Sequence, residues 1–150
     1  MGSMMSLKDL ANMPQNEFLW RFLVVGYLFT ISIEAPILLF GLSSRHSWKR
    51  RLLAGIWLTA CTYPIVVLVL PTLFEIYQRP ENYTFYLIVA ETFAPTAECL
   101  LFWAAFDRGV PGSVLETARD MVVVVVANLA SFMAGLLMTN RNVWEKLLSW

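Results

Sequence analysis

Four apolar runs decide what this chain can fold into. They cover 18–42, 52–74, 85–106 and 121–138, and each comes close to the ~20 residues a helix needs to cross about 30 Å of hydrocarbon. Lipid offers no water to backbone N–H and C=O groups, so segments of this length take the α-helix, which satisfies them internally. The expected fold class is therefore all-α: an integral membrane four-helix bundle, one domain over residues 1–150, with short interfacial helices at the termini. Those end segments are 6–13, stopped by Pro14, and 143–150, where Val143, Leu147 and Trp150 share a face. Composition agrees, with 58% apolar and only 15% charged residues against about a quarter charged in a soluble domain. The formal net charge of zero gives no electrostatic reason to expect a nucleic-acid partner. The first run is too long for the h-region of a cleavable signal peptide.

The connections carry stop and start signals. Ser43-Ser44 follow Gly41, Arg79-Pro80-Glu81-Asn82 separates the second and third runs, and Gly109-Val110-Pro111-Gly112 ends the third. Ser113 and Glu116 have capping-box spacing for a helix leading into the fourth run. The first connection holds Arg45, Lys49, Arg50 and Arg51, and the second only Arg79. The positive-inside rule then puts loop 43–51 in the cytoplasm and both termini outside, in a plasma or inner membrane. On that orientation Trp48, Trp57 and Trp103 form the inner aromatic belt, with Trp20, Tyr77, Tyr83 and Tyr86 in the outer one. Asn82-Tyr83-Thr84 is an outward-facing glycosylation acceptor triplet. His46, alone in the basic loop, reads as solvated, and Cys61 and Cys99 as free thiols within apolar surroundings.

What departs from the apolar pattern is a layer of polar groups. Glu34 lies in the first run and Glu91 and Glu98 in the third; acids at such depth face a partner or a cavity. Glu91 and Glu98 share a helix face, about 10 Å apart along its axis. Counted from the run centres, Glu34 and Glu98 both fall roughly 4–6 Å toward the cytoplasmic side. The antiparallel runs place Thr62, Tyr63, Asn128 and Ser131 near the same level. Pro36, Pro64 and Pro95 free the carbonyls of Ser32, Ala60 and Glu91, further oxygens for a cation. No Lys or Arg in the runs faces the acids, since Arg21 lies about 20 Å along the helix from Glu34. They must be neutral, share a proton, or hold a cation, and a bound cation is the one cofactor this suggests. In the fourth run Ala127, Ser131 and Gly135, and also Ala130 and Ala134, recur every four residues, a spacing for close helix packing. Glu34-Ala35-Pro36-Ile37-Leu38-Leu39-Phe40 and Glu98-Cys99-Leu100-Leu101-Phe102 are similar enough to suggest a two-helix repeat.

Two functions fit. One is a transporter or transporter subunit that handles a proton or metal cation on Glu34, Glu91 and Glu98, with Thr62, Tyr63, Asn128 and Ser131 around them. The other is a non-enzymatic scaffold or accessory subunit whose acids bond to a partner helix. Both expect lipid and either a homo-oligomer or another membrane subunit as partners. No catalytic constellation falls within a run, so no enzymatic activity is expected. Cysteine labelling should reach positions 45–49 from the cytoplasm and 78–82 from outside; the opposite pattern would overturn the orientation and leave the spans intact.

Overall fold

The computed structural model describes residues 15–140, and the two end segments expected at 6–13 and 143–150 lie outside that range. The described chain is all-helical in its regular elements, and four of its helices are long and apolar enough to span a membrane. Helix α1 is Gln15–Gly41. Helix α2 is Trp48–Pro64, carried on by a π turn at Ile65–Val69 and a last turn at Leu70–Leu73. Helix α3 is Tyr83–Phe102, carried on by a π turn at Trp103–Asp107. Helix α4 is Val114–Asn140, starting seven residues before the apolar run because the Ser113–Glu116 box caps it there. Large apolar side chains such as Leu28, Leu53, Ile88, Leu100 and Leu137 point outward, as a surface solvated by lipid requires. The chain is an integral membrane protein.

Both π turns have local consequences. In α2 the Leu70 N–H bonds to the Ile65 carbonyl. The next bond in that register would need an N–H from Pro71, which has none. Val66 is thereby left with a carbonyl to satisfy, and the Tyr86 hydroxyl donates to it at 3.2 Å. Tyr86 is thus half-buried and tied to α2. In α3 the Arg108 N–H closes the wide turn on the Trp103 carbonyl. The extra residue re-aims the helix end, so that Phe106 and Asp107 are both buried.

The helices pack in cyclic order: α1 against α2 and α4, and α3 against α2 and α4. Acid-bearing α1 and α3 therefore stand on one diagonal of the square, and α2 and α4 on the other. At the end carrying the α1–α2 and α3–α4 loops the centre is filled by Leu38, Leu42, Ala54, Leu58, Phe102 and Val124, among others. Three arginines finish this end. Arg51 donates to the carbonyls of Leu39 and His46, and Arg119 to that of Gly41, supplying donors to the C-terminus of α1. Arg45 turns inward. Of the residues suited to labelling, Lys49 and Gln78 are exposed, whereas His46 is buried. At the other end the Asn82 amide donates to the Phe74 carbonyl at 2.9 Å, so the acceptor triplet has its asparagine engaged in the turn.

Helices α1 and α2 meet backbone to backbone at Gly55. A Cβ placed on Gly55 would lie 2.7 Å from the Ala35 Cα, a contact only glycine allows. The small-residue stripe of α4 behaves differently. A Cβ on Gly135 meets nothing within 4 Å, because this residue borders a cavity instead of a neighbouring helix. Gly55→Ala should therefore lower thermal stability in detergent by about 1–3 kcal/mol, the range for overpacking. Gly135→Ala should leave it unchanged or raise it slightly, through helix propensity. Equal losses for the two variants would contradict this packing.

Candidate functional site

Alternating the helices around a square sends one polar side chain after another into the shared centre. Glu34 and Glu98 are each 2% exposed. Glu34 accepts from Thr59 on α2 and Ser131 on α4, both at 2.6 Å. Glu98 accepts from Thr62 on α2 at 2.6 Å and from Asn128 on α4 at 2.8 Å. Thr59 and Thr62 are three residues apart, as are Asn128 and Ser131, so each even-numbered helix offers two donors from one face. Each acid makes one bond within its own hairpin and one across to the other. For Glu34 the crossing partner is Ser131, and for Glu98 it is Thr62.

The proton count at these contacts is informative. A hydroxyl carries a single proton, yet each of these three lies between a carboxylate and a backbone carbonyl. Thr59 is 2.9 Å from the Gly55 carbonyl, Thr62 is 3.2 Å from that of Leu58, and Ser131 is 2.9 Å from that of Asn128. An ionised acid receives the hydroxyl protons. A protonated acid donates to one hydroxyl, whose own proton then turns to the carbonyl. Both states satisfy every donor without moving a heavy atom, so the layer accommodates a proton on either acid.

Above the acids a cavity of about 220 Å³ opens. Its lining residues on α1 and α3 all precede or include Glu34 and Glu98, and those on α2 and α4 all follow or include Thr59 and Asn128. In an antiparallel bundle this is one direction: the cavity runs from the acid layer toward the α2–α3 loop. The packed core closes the other side. Glu91 and Tyr63 border the cavity, and among the described residues neither is hydrogen-bonded to Glu34 or Glu98. Tyr63 lies with its hydroxyl over Gly26, where any Cβ would collide with it. Of the residues expected in the layer, Glu34, Glu98, Thr62, Asn128 and Ser131 are brought together, and Glu91 and Tyr63 form the wall. Thr59 was missed; its spacing of three from Thr62 was the available signal. The partners of both acids are side chains, not the proline-freed carbonyls.

A second polar centre lies at the closed end. Asp120, fully buried, accepts from the Ser43 N–H at 2.6 Å and the Ser43 hydroxyl at 2.7 Å. Arg45 bridges Asp120, at 2.9 Å, and Asp107, and Thr117 donates to Asp107 at 3.0 Å. His46 is 1% exposed and packs edge-on to Phe102, with ring centroids 5.3 Å apart. The solvated reading of His46 is thus overturned: the turn closed by its N–H on the Ser43 carbonyl folds the ring inward beneath Arg45. Asp107 and Asp120 drew no attention in the sequence because each adjoins an arginine in a loop-flanking position.

Removing Arg45 strands two buried carboxylates. Arg45→Met should cost about 3–5 kcal/mol. Arg79→Met, which breaks an exposed pair with Glu75 at 3.1 Å, should cost under about 1 kcal/mol. Chemical unfolding in a fixed detergent measures both, and equal effects would deny the cluster its place in holding the closed end.

Compared with known protein families, curated proteins and solved structures, the chain has no match.

Proposed function

We propose that this membrane protein is a transporter, or a subunit of one, that handles a proton or metal cation on Glu34 and Glu98, with Glu91 as an entrance group. The observation that carries this reading is the one-ended cavity with two carboxylates at its floor. No Lys, Arg or His among the described residues pairs with either acid. A proton is favoured over a metal ion, because a hydroxyl beside either acid can turn its own proton to a carbonyl as that acid is protonated, whereas metal coordination would have to displace those bonds. Glu91, half-buried in the wall above, is placed to pass a charge between the open end and the floor. The apolar outer faces fit assembly as a homo-oligomer or with another membrane subunit.

The scaffold alternative asks the acids to bond to a partner helix. Glu34 and Glu98 are turned away from the bundle surface, and all four of their oxygens accept bonds from within the chain. That leaves Glu91 as the acid with oxygens to offer.

The test is proton movement into proteoliposomes with a trapped pH dye, driven by an imposed potential, together with a double-mutant cycle on pH-dependent stability. Wild type should acidify faster than empty vesicles. Glu34→Gln and Glu98→Gln should each abolish most of the excess, and the double variant should add little, because sites sharing a proton are not additive. Glu91→Gln should give a smaller loss. Wild-type vesicles that acidify no faster than empty ones, with stability flat between about pH 5 and 9, the range into which burial moves a Glu, would leave the scaffold reading in place.

A further inference from the structure

The cluster at the closed end has two features that its hydrogen bonds do not account for. Asp107 and Asp120 carry two negative charges against the single positive charge of Arg45, in side chains that are 4%, 0% and 8% exposed. Buried charge is retained where it is compensated, so one negative charge is left over. The second is His46: it is 1% exposed, and among the described residues neither ring nitrogen has a hydrogen-bond partner. Its Nε2 nevertheless points between the two carboxylates, 3.3 Å from Asp107 Oδ1 and 3.3 Å from Asp120 Oδ2. A cation among these three atoms would account for both.

We propose that His46 Nε2, Asp107 Oδ1 and Asp120 Oδ2 form a binding site for a divalent transition-metal ion of the zinc class. Ligand atoms bonded at about 2.0–2.1 Å in a tetrahedron stand about 3.3–3.4 Å apart. The imidazole already keeps that separation from both oxygens, and the three residues each offer a ligand atom within 4.8 Å of the others. One nitrogen and two carboxylate oxygens suit zinc better than calcium or magnesium, which prefer all-oxygen sets. The outer bonds fit as well. Thr117 holds Asp107 Oδ2 and the Ser43 N–H holds Asp120 Oδ1, which orients both carboxylates with the other oxygen inward. The fourth position is left to water, since the Ser43 hydroxyl already donates to Asp120 Oδ2 at 2.7 Å.

Arg45 is the competitor. Its Nη2 spans the same two oxygens and its Nε lies 3.2 Å from Asp120 Oδ2, so an arriving ion must displace the guanidinium from both. Ser43, which accepts from Nε at 3.0 Å, and Thr117, 3.1 Å from Nη2, stand beside the site as partners for the shifted side chain. Arg45 thus weakens the site, and its loss should tighten it. The three ligands come from three segments: the α1–α2 loop, the π turn ending α3, and the first turns of α4. Binding would staple the closed end.

The experiment titrates Co²⁺ and Zn²⁺ into the tag-free full chain in detergent. It follows cobalt absorption, melting temperature and the imidazole ¹⁵N signal, which is unambiguous because the chain has one histidine. The expected result is one Co²⁺ per chain with the absorption of a tetrahedral site. Affinity should fall at least about tenfold in His46→Gln and rise in Arg45→Met. Zn²⁺ should raise the melting temperature of wild type, raise that of Arg45→Met further, and shift Nε2. Any of three outcomes would overturn the site: no tetrahedral cobalt signal in wild type or Arg45→Met, binding indifferent to His46→Gln, or an imidazole ¹⁵N signal that excess Zn²⁺ leaves unmoved. If His46→Gln does not fold, the wild-type ¹⁵N shift decides alone. None of these outcomes bears on Glu34 and Glu98.

Discussion

A carboxylate inside a bilayer is tolerated when every oxygen is bonded, and in this bundle no single neighbour can do that. Glu34 needs α2 and α4, and Glu98 needs the same two helices one turn away. The bonds therefore cross the square at one level and fix how far each helix is rotated. Rotating α4 by one residue, about 100°, would carry Asn128 and Ser131 out of reach and leave two acids short of donors at once. Apolar side chains that slide over one another at little cost cannot impose that register. Here the polar layer imposes it, and the packed core beneath follows from it: with Glu34 and Glu98 turned inward, Leu38 and Phe102, one helical turn on, are turned inward too.

The spans and the polar layer were legible in the sequence because both are rules about lipid. A run of some twenty apolar residues has few alternatives, and an acid within one has fewer. Helix ends followed from caps, as Ser113 and Glu116 illustrate. What was not legible depends on contacts between distant segments. Thr59 is an ordinary helix threonine until Glu34 is brought across from α1. Gly135 and Gly55 look alike in sequence, and only the rotation of each helix decides that one borders open space while the other touches Ala35. The loop arginines were counted as a topological signal, which hid their other work as donors to the end of α1 and as counter-charge to Asp107 and Asp120.

The two ends of the molecule are built on opposite terms. One is filled with side chains and tied by buried charges contributed by three segments. The other keeps a cavity, and its ion pair between Arg79 and Glu75 is exposed on both sides. Such a pair adds little cohesion. Access to the acid layer is therefore asymmetric by construction, and any route through the molecule has to deal with the core formed around Leu38, Leu58 and Phe102.

The contact between Gly55 and Ala35 bears on how such a body can deform. At this level backbone meets backbone, with no side chain between α1 and α2 to act as a bearing, which couples the two helices closely. The bonds that tie this pair to α3 and α4 at mid-depth are Ser131 to Glu34 and Thr62 to Glu98, each a hydroxyl that can turn on its own axis. A shear of one helical hairpin past the other would turn on those two hydroxyls, and it would be held at the closed end, where Ser43 and Arg45 bind Asp107 and Asp120.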